Sequence, residues 1–592
     1  MRSSALFLAL GAPSALAAVT KPHILLIVAD DLGWNDVSFH APAAADGTRS
    51  AQIPTPHLTA LASEGIVLDN FYVQPVCSPT RASLMTGRHV IHTGIYDPDC
   101  SFGTTLAVPT AFSMLPQHLK ALGYATHAIG KWHLGDFAPQ LTPTGRGFDT
   151  FYGYYDGAEE YFSHTIKNYV DLHNDSARPG GWGLAHATGQ DGAYSTHIYT
   201  EQAERVIASH AAASAAASAA SDAPPPLFMY LAYQAIHSPD EVPQSYRDPF
   251  NATIPDTPAD PSKVLNNVGN HRRTVAGMVA ALDEGVGNVT AALKAAGMFD
   301  DTLIFFTADN GGPAAGFNSN MASNWPLRGM KRTLWEGGMR VSAFAHGAGL
   351  RKTGYVNEAM VHACDVPESM LALAANGLEA DPSDAGAWIG WREHPALKAA
   401  AAAEPPFQLG DGIDNWAALA TGAPSARTEM IHEAHPSGHG QDDGNGQAIR
   451  VGDYKLITEK GPMWHGPPND EWYESGSNPA QYSHTVSCGG PPPNASAPGY
   501  CDPAKLPCLF NVRLDPCEFR DLSKDRPDVV ANLTARLAVY QATAVHKSFH
   551  QLKGVNCSSS DPKDHPEWDG FWQPNCQGVE SGRRRRARAA LN

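Results

Sequence analysis

Four apolar runs that end abruptly in polar residues constrain the fold of this 592-residue chain most strongly. Continuous apolar runs of this length are typical of buried strands in a mainly parallel sheet. Stretches with helical character, such as residues 113–123 and 286–297, separate them, and Gly297 is a plausible helix C-cap. Alternating strands and helices predict an α/β fold, a large, mixed and mainly parallel sheet with helices on both faces. The runs are residues 23–31, 124–133, 227–237 and 302–312.

The character of the sequence changes after about residue 425, where short strand candidates lie among Gly, Pro and Cys. We predict a first, larger domain in residues 19–425. Residues 426–592 are predicted to form a smaller α+β domain on an antiparallel sheet. The Ala- and Ser-rich segment 209–226 is expected to be an exposed insertion. The basic end, residues 583–592, predicts a disordered tail, with a processing site or a polyanion-binding patch as less favoured alternatives.

The N-terminus predicts the cellular compartment. Residues 1–18 carry Arg2, an apolar run and the small residues Ala15 and Ala17, the pattern of a secretory signal peptide. No later apolar stretch reaches the ~18 residues of a membrane helix. We therefore expect a secreted or lysosomal/vacuolar glycoprotein that is not an integral membrane protein. Six N-x-S/T sequons agree with this expectation: Asn174, Asn251, Asn288, Asn494, Asn532 and Asn556.

Charge and cysteine content narrow the possible partners and the covalent structure. The formal net charge of −18 argues against a nucleic-acid partner, which needs a basic face. Nine cysteines are an odd number, and six of them lie after residue 480, where a loop-rich tail needs disulfides. If Cys77 has a separate function, the other eight can all form disulfides.

Cys77 lies in the segment VCSPTRASLMTGR, residues 76–88. Ser78 and Pro79 predict that a helix begins here, and Gly87 is a plausible end. Arg81 is then one turn along the same face. A helix N-terminus and an arginine both favour an anion, so an unmodified Cys77 is expected to be a low-pKa thiolate nucleophile. A buried small residue or half of a disulfide are the alternatives.

Two oxygen-rich strand ends predict a metal site. Asp30 and Asp31 follow the first run, and adjacent carboxylates repel each other unless a cation lies between them. Asp309 and Asn310 follow the fourth run, and the carboxyl ends of parallel strands meet at one edge of a sheet. Four oxygen donors without cysteine or histidine suit calcium or magnesium better than zinc. For the isolated pair, a helix N-cap plus a solvated acid is the alternative.

Further candidates are Lys131, His133, His237 and Lys331. Lys131 and His133 are two residues apart and would share one face of an extended segment. Each of the four is, by itself, also compatible with a surface or core position.

The segment from Cys77 to Arg81 resembles the C-x-P-x-R signature of the sulfatase family. The resemblance runs from about residue 21 to about 545, and GKWHLG, RGFDTFYGY and NWPLRGMKRTLWEGG resemble the N-acetylgalactosamine-4-sulfatase subgroup most. It implies the two-domain architecture of the alkaline phosphatase superfamily. It also implies that the formylglycine-generating enzyme oxidises Cys77 to formylglycine, whose hydrated aldehyde is the nucleophile.

The same resemblance implies roles for the remaining candidates and a function. Ca²⁺ is held by Asp30, Asp31, Asp309, Asn310 and the oxygen at position 77. Lys131 and Lys331 hold the sulfate, and Arg81, counted with the catalytic residues, helps them and the metal to neutralise the sulfuryl oxygens. His237 contacts the substrate and protonates the leaving alkoxide, and His133 assists the release of sulfate. The expected activity is hydrolysis of sulfate esters of carbohydrate, with N-acetylgalactosamine 4-sulfate units as candidate substrates. A phosphate or phosphonate ester hydrolase and an inactive glycan-binding paralogue are the alternatives.

Overall fold

A computed structural model describes most of the chain, and the predicted signal peptide and basic end lie outside the described residues. The described residues are 20–41, 51–98, 100–179, 181–219, 224–254, 264–265, 271–314, 316–317, 319–384, 388–403, 410–435, 446–460, 486, 488, 492–494, 496–502, 505–546, 556–559, 562–568 and 570–577.

Strands and helices alternate through the first two thirds of the chain. The strands are β1 (His23–Ala29), β2 (Ile66–Leu68), β3 (Phe71–Tyr72), β4 (Ala125–Lys131), β5 (Thr150–Tyr154), β6 (Thr165–Ile166), β7 (Tyr169–Val170), β8 (His173–Ser176), β9 (Leu227–Ala232), β10 (Val264–Leu265), β11 (Thr302–Ala308), β12 (Gly316–Phe317), β13 (Ala343–Gly347), β14 (Tyr355–Asn357), β15 (Val361–His362), β16 (Glu429–Glu433), β17 (Gly446–Val451), β18 (Tyr454–Lys460), β19 (Cys508–Asn511), β20 (Asn556–Cys557) and β21 (Cys576–Gln577). The α-helices are α1 (Pro56–Glu64), α2 (Cys77–Thr86), α3 (Val90–Thr93), α4 (Leu115–Ala121), α5 (Ser195–Ala219), α6 (Gln244–Arg247), α7 (His271–Ala295), α8 (Glu336–Met339), α9 (Asp365–Asn376), α10 (Pro395–Ala403), α11 (Trp416–Thr421) and α12 (Pro527–Gln541).

A nine-stranded sheet forms the centre of the molecule, in the order β14-β2-β13-β11-β1-β9-β4-β5-β8. The four predicted apolar runs form its central strands β11, β1, β9 and β4, which are mutually parallel. Strand β13 runs antiparallel to β11, and β8 runs antiparallel to β5. Helices α1, α5 and α7 pack together, and α2, α4 and α9 form a second group. The predicted fold class, a large, mixed, mainly parallel sheet flanked by helices, is confirmed.

A separate antiparallel sheet follows, with the strand order β16-β17-β18-β19. Its apolar side chains Ile431, Ile449 and Leu456 pack with Leu533 and Leu537 of α12. This confirms the predicted antiparallel sheet in the C-terminal part. The domain boundary at residue 425 stays a prediction.

The Ala- and Ser-rich segment is helical at its start and lies at the surface, in agreement with its predicted exposure. Helix α5 continues through it to Ala219, because alanine has the highest helix propensity and supplies no side chain that disrupts a turn. Side chains from 211 to 218 are exposed or partly exposed, so the segment is a surface helix end.

Three disulfides staple the C-terminal part, as predicted: Cys488–Cys517, Cys501–Cys508 and Cys557–Cys576. The expectation that every cysteine other than Cys77 forms a disulfide is wrong, because Cys364 is a reduced, buried thiol. Its Sγ lies 3.1 Å from Nδ1 of His362 and is hydrogen-bonded there rather than joined to another cysteine.

The C-terminal segment packs against Phe102 and against the two-stranded sheet of β6 and β7. The ring of Trp572 stacks on Phe102 with 4.3 Å between the ring centroids. The Trp572 indole N–H donates to the carbonyl of Ile166 at 3.1 Å, and its backbone N–H donates to the carbonyl of Val170 at 2.9 Å. The segment therefore supports the loop that carries Phe102 and the strand β6 that carries Ile166. Among the described residues, no helix combines the length and the apolar character that crossing a membrane requires.

Candidate active site

Polar residues converge at one edge of the main sheet, as the sequence predicts. Asp30 and Asp31 follow β1, and Asp309 and Asn310 follow the neighbouring strand β11. Lys131 is the last residue of β4, on the other side of β1. All of these side chains are buried. Since the strands are parallel, their carboxyl ends bring groups distant in sequence into contact.

Cys77 begins helix α2, which ends at Gly87 as predicted. Gly87 has φ of +66°, a left-handed conformation that glycine adopts without steric cost. The Cys77 side chain is buried, and its thiol lies 3.6 Å from Oδ1 of Asp30. The helix thus places position 77 at the predicted metal ligands.

The prediction that unmodified Cys77 is a low-pKa thiolate is wrong. Burial, followed by the carboxylate of Asp309, raises the pKa of the Cys77 thiol to about 12, although Lys131 and Lys331 act in the opposite direction. The sequence pattern shows the helix N-terminus and Arg81 but neither the burial nor the surrounding carboxylates. At neutral pH the unmodified thiol is protonated and a poor nucleophile.

Three carboxylates and three cations compensate one another around Cys77. The Lys131 ammonium lies 2.6 Å from Oδ2 of Asp30, and the Lys331 ammonium lies 2.6 Å from Oδ1 of Asp31. Burial alone would raise the pKa of Asp31, but Lys331 and then His237 hold it below its usual range. The same carboxylate raises the pKa of Lys331 despite its burial. Asp31 and Lys331 therefore keep each other charged inside the protein.

Arg81 links the two strand ends. Its Nε and Nη2 donate to Oδ2 of Asp309 at 3.0 and 2.8 Å, and Nη2 also lies 3.6 Å from Oδ2 of Asp30. The side chain has no solvent exposure. The guanidinium consequently orients the carboxylates of both predicted ligand strands.

The predicted ligands fit a hard divalent cation. Asp30, Asp31 and Asp309 supply carboxylate oxygens, and Asn310 supplies an amide oxygen. The Asn310 Oδ1 is buried and accepts no hydrogen bond from the described residues, while Nδ2 donates to Asp31 Oδ1 at 2.7 Å. Ligand atoms of Asp30, Asp31, Cys77 and His237 also lie within 4.8 Å of one another. A buried oxygen without a donor, next to clustered carboxylates, is the arrangement that a calcium ion satisfies.

His133 does not share an extended face with Lys131 as predicted. Strand β4 ends at Lys131, and His133 has φ of +53°, so the chain turns between them. Its Nε2 donates to the carbonyl of Pro98 at 3.2 Å, which leaves Nδ1 with the lone pair. That Nδ1 is buried without a hydrogen bond from the described residues. Burial, followed by Lys131 and Arg81, lowers the His133 pKa well below its usual value.

The two ring nitrogens of His237 have different neighbours, a backbone carbonyl and the carboxylate of Asp31. Its Nδ1 donates to the carbonyl of Ser238 at 2.6 Å, and its Nε2 lies 3.7 Å from Oδ2 of Asp31. Burial lowers the pKa of His237, although Asp30 and Asp31 act against it. The anchored Nδ1 leaves Nε2 as the nitrogen that can exchange a proton with a ligand.

A cavity of ≈ 210 Å³ opens over Cys77. Sequence reasoning identified four of its lining residues and missed others, because serine, proline and aspartate in loops have no distinctive pattern. Asp156 is one of these, and burial raises the pKa of its carboxyl. Arg332 directly follows Lys331, and its charge beside a candidate ligand was the available signal. The lining residues include Cys77, His133, His237 and Lys331 and, unpredicted, Pro98, Ser101, Asp156, Ile166, Met330 and Arg332.

Comparisons with known proteins agree with this geometry. Mouse arylsulfatase J is 33% identical over 579 residues, which cover 94% of this chain and 81% of that protein. Human N-acetylgalactosamine-6-sulfatase is 29% identical over 372 residues, and the match covers 61% of this chain and 63% of that protein. The crystal structure of Ps i-CgsB in complex with k-i-k-neocarrahexaose has a TM-score of 0.62 and 25% identity, with 93% of this chain and 97% of that chain covered.

The structure of the PsFucS1 sulfatase from Pseudoalteromonas sp., at 22% identity and a TM-score of 0.59, covers 89% of this chain and 91% of that chain and shares the fold. The family model described as Sulfatase matches residues 22–377, which contain every candidate residue of the cavity and its metal ligands. With this match and the buried Cys77 helix at the strand ends, the chain belongs to the sulfatase family.

Proposed function

We propose that the protein hydrolyses sulfate esters of carbohydrates, with a formylglycine made from Cys77 and a bound Ca²⁺. One observation carries the proposal. Cys77 begins a buried helix beside Asp30, within a cluster of three carboxylates and three cations that opens to a cavity. N-acetylgalactosamine 4-sulfate units are the candidate substrate, in line with the motifs of that subgroup and with relatives named as N-acetylgalactosamine-6-sulfatases.

The high pKa of the Cys77 thiol supports conversion of this residue. A protonated, buried thiol is a weak nucleophile at neutral pH. A hydrated formylglycine would supply one hydroxyl to attack sulfur and a second whose deprotonation expels sulfate. The formylglycine-generating enzyme is therefore the proposed partner during maturation. The buried position of Cys77 requires that this conversion precede completion of the fold.

Calcium is the proposed metal, because the donors are oxygens of three carboxylates and an amide. Asp30, Asp31, Asp309, Asn310 and the oxygen at position 77 would hold it. When bound, the ion would supply positive charge that polarises the sulfate ester and favours an oxygen nucleophile at position 77.

Lys131, Lys331 and Arg81 are the proposed sulfate-binding residues. Lys331 is the one of the three that lines the cavity, and its ammonium contacts Asp31. Lys131 and Arg81 contact Asp30, and they offset the negative charge of the carboxylates that are the proposed metal ligands. Fixed cations in a buried site stabilise charge that develops on sulfuryl oxygens, and this needs little reorganisation.

The two histidines are assigned complementary proton transfers. His237, anchored through Nδ1 to the Ser238 carbonyl, would donate from Nε2 to the leaving alkoxide as the imidazolium, the form that Asp30 and Asp31 favour against burial. His133, anchored through Nε2 to the Pro98 carbonyl, accepts a proton at Nδ1 when sulfate is expelled. Each backbone carbonyl therefore selects the nitrogen that does the chemistry.

The three disulfides support the proposed secretory route, since such bonds persist in oxidising compartments. A secreted or lysosomal/vacuolar location is accordingly proposed.

Sulfate release from a panel of defined sulfated saccharides and from 4-nitrophenyl sulfate tests the function. Matched phosphate and phosphonate esters are the comparison. We expect turnover of the sulfate esters with a higher kcat/KM. A higher kcat/KM on the phosphorus esters would assign the site to the alternative hydrolase class, and turnover of no ester would favour the glycan-binding alternative.

A further inference from the structure

Arg332 lies in the wall of the cavity, directly after Lys331 in the chain. Its side chain is 14% exposed, and Nη1 lies 3.2 Å from Oδ1 of Asp97, whose side chain is 20% exposed. None of the roles proposed above uses this arginine. The cavity therefore contains a cation beyond those assigned to the scissile sulfate.

The backbone holds Arg332 in a conformation that has a steric cost. Its φ is +68°, in the left-handed region where glycine is favoured over residues with a long side chain. Its N–H donates to the carbonyl of Pro75 at 2.6 Å, and Pro75 is two residues before Cys77. The turn is thereby anchored to the segment that carries the nucleophile. A strained position that carries a charged side chain into a cavity suggests a functional constraint.

The chemistry of the side chain selects an anionic ligand. A guanidinium binds a carboxylate or a sulfate through two parallel hydrogen bonds, which an ammonium cannot do. The Asp97 carboxylate accepts one hydrogen bond from this guanidinium, from Nη1 at 3.2 Å. Both side chains are partly exposed and Arg332 lines the cavity, so a ligand anion that enters it can compete with Asp97 for the guanidinium.

We propose that Arg332 is a second anion subsite, which binds a carboxylate or sulfate group on the sulfated sugar or on the sugar linked to it. The inference rests on the proposed sulfatase function and adds to it a class of substrate. Preferred substrates carry a second negative charge besides the sulfate that is removed.

The test compares kcat/KM on four substrates for the natural protein and for Arg332→Gln. A sulfated N-acetylgalactosamine linked to a uronate carries a carboxylate, and its analogue with the carboxylate reduced to an alcohol does not. A disulfated N-acetylgalactosamine carries a second sulfate, and 4-nitrophenyl sulfate carries no second anionic group. We expect Arg332→Gln to lower the preference for at least one doubly charged substrate by about 10- to 100-fold, the range of a charge-assisted hydrogen bond. The arm that responds identifies the anion.

Three further variants control the result. Arg332→Gly removes the side chain and suits the left-handed backbone, so it should fold and show the same loss of preference. Asp97→Asn removes the competing carboxylate and should increase the preference. Arg205→Gln changes an exposed arginine on α5 that pairs with Glu201 and should leave the preference unchanged.

The two proposals fail in different ways. If the natural protein releases no sulfate from any of the four substrates, the proposed function is wrong. If it releases sulfate but Arg332→Gln and Arg332→Gly lower kcat/KM by equal factors on all four, the anion subsite is wrong and the function stands.

Discussion

The thiol of Cys77 and Oδ1 of Asp30 are 3.6 Å apart, although Cys77 begins helix α2 and Asp30 follows strand β1. A proposed nucleophile and a proposed metal ligand are therefore adjacent before any ion is bound. Burial and nearby carboxylates keep the thiol protonated. The unmodified thiol is therefore a weak nucleophile, and modification of residue 77 is the first property to test.

The peptide that contains residue 77 should carry an aldehyde when the protein is made in a host with the modifying enzyme. Mass spectrometry after reaction with a hydrazide measures it. Cys77→Ser should show no steady turnover, because a sulfated serine lacks the second hydroxyl that expels sulfate. A fully active protein whose residue 77 is entirely thiol would contradict the prediction.

Asp31→Ala or Asp309→Ala should abolish turnover and lower the bound calcium, because each removes a carboxylate ligand and leaves Lys331 or Arg81 without its buried partner. Elemental analysis of the purified protein measures calcium alongside activity. Asp301→Asn, at an exposed acid before β11, is the matched control and should keep both. Full activity in metal-free protein is the opposite result.

His237→Ala should slow the hydrolysis of a sulfated sugar by ~10² to 10⁴ and that of 4-nitrophenyl sulfate far less. A sugar alkoxide needs a proton as the S–O bond breaks, whereas nitrophenolate is stable as an anion. The ratio of kcat/KM on the two substrates is the measurement, with a melting curve as control. Equal losses on both substrates, with a lower Tm, would indicate a packing role and make Lys331 the next candidate acid.

Glu368 should make the stability of the protein depend on pH. Burial raises the pKa of this carboxyl from 4.5 to about 7, although Arg392 and the Trp391 indole N–H oppose the shift. A group whose pKa is raised in the folded state stabilises most below its unfolded pKa, here 4.5, and that contribution is lost as pH rises towards 7. The Tm of the natural protein should therefore fall, relative to that of Glu368→Gln, between pH 4.5 and 7. A constant difference in Tm across this window would show that Glu368 does not titrate there.

Much of the fold could be predicted because its central strands are continuous apolar runs. The runs that end at Asp30 and Asp309 were predicted to share a mainly parallel sheet, so the meeting of their polar ends at one edge followed from topology, whereas their being neighbours did not. The helix from Cys77 to Thr86 was also predictable, because proline near its start and glycine after its end are local sequence signals.

Features that depend on tertiary context were not predictable. The pKa of Cys77 is set by burial and by Asp309, which is far along the chain. The turn at His133 and the ion pair between Arg332 and Asp97 arise where loops meet, and loop sequences have no periodicity. The reduced state of Cys364 likewise depends on which side chain is packed beside it.

Trp572, stacked on Phe102 and bonded to Ile166, has a consequence for the order of events during synthesis. Ile166 lines the cavity, so its rim is supported only after a segment that leaves the ribosome long after Cys77. Throughout that interval the nascent chain would offer residue 77 to the proposed modifying enzyme. A polypeptide truncated before this segment would retain the proposed metal ligands and both histidines, but the entrance of the cavity would lack the support that Trp572 gives to Ile166.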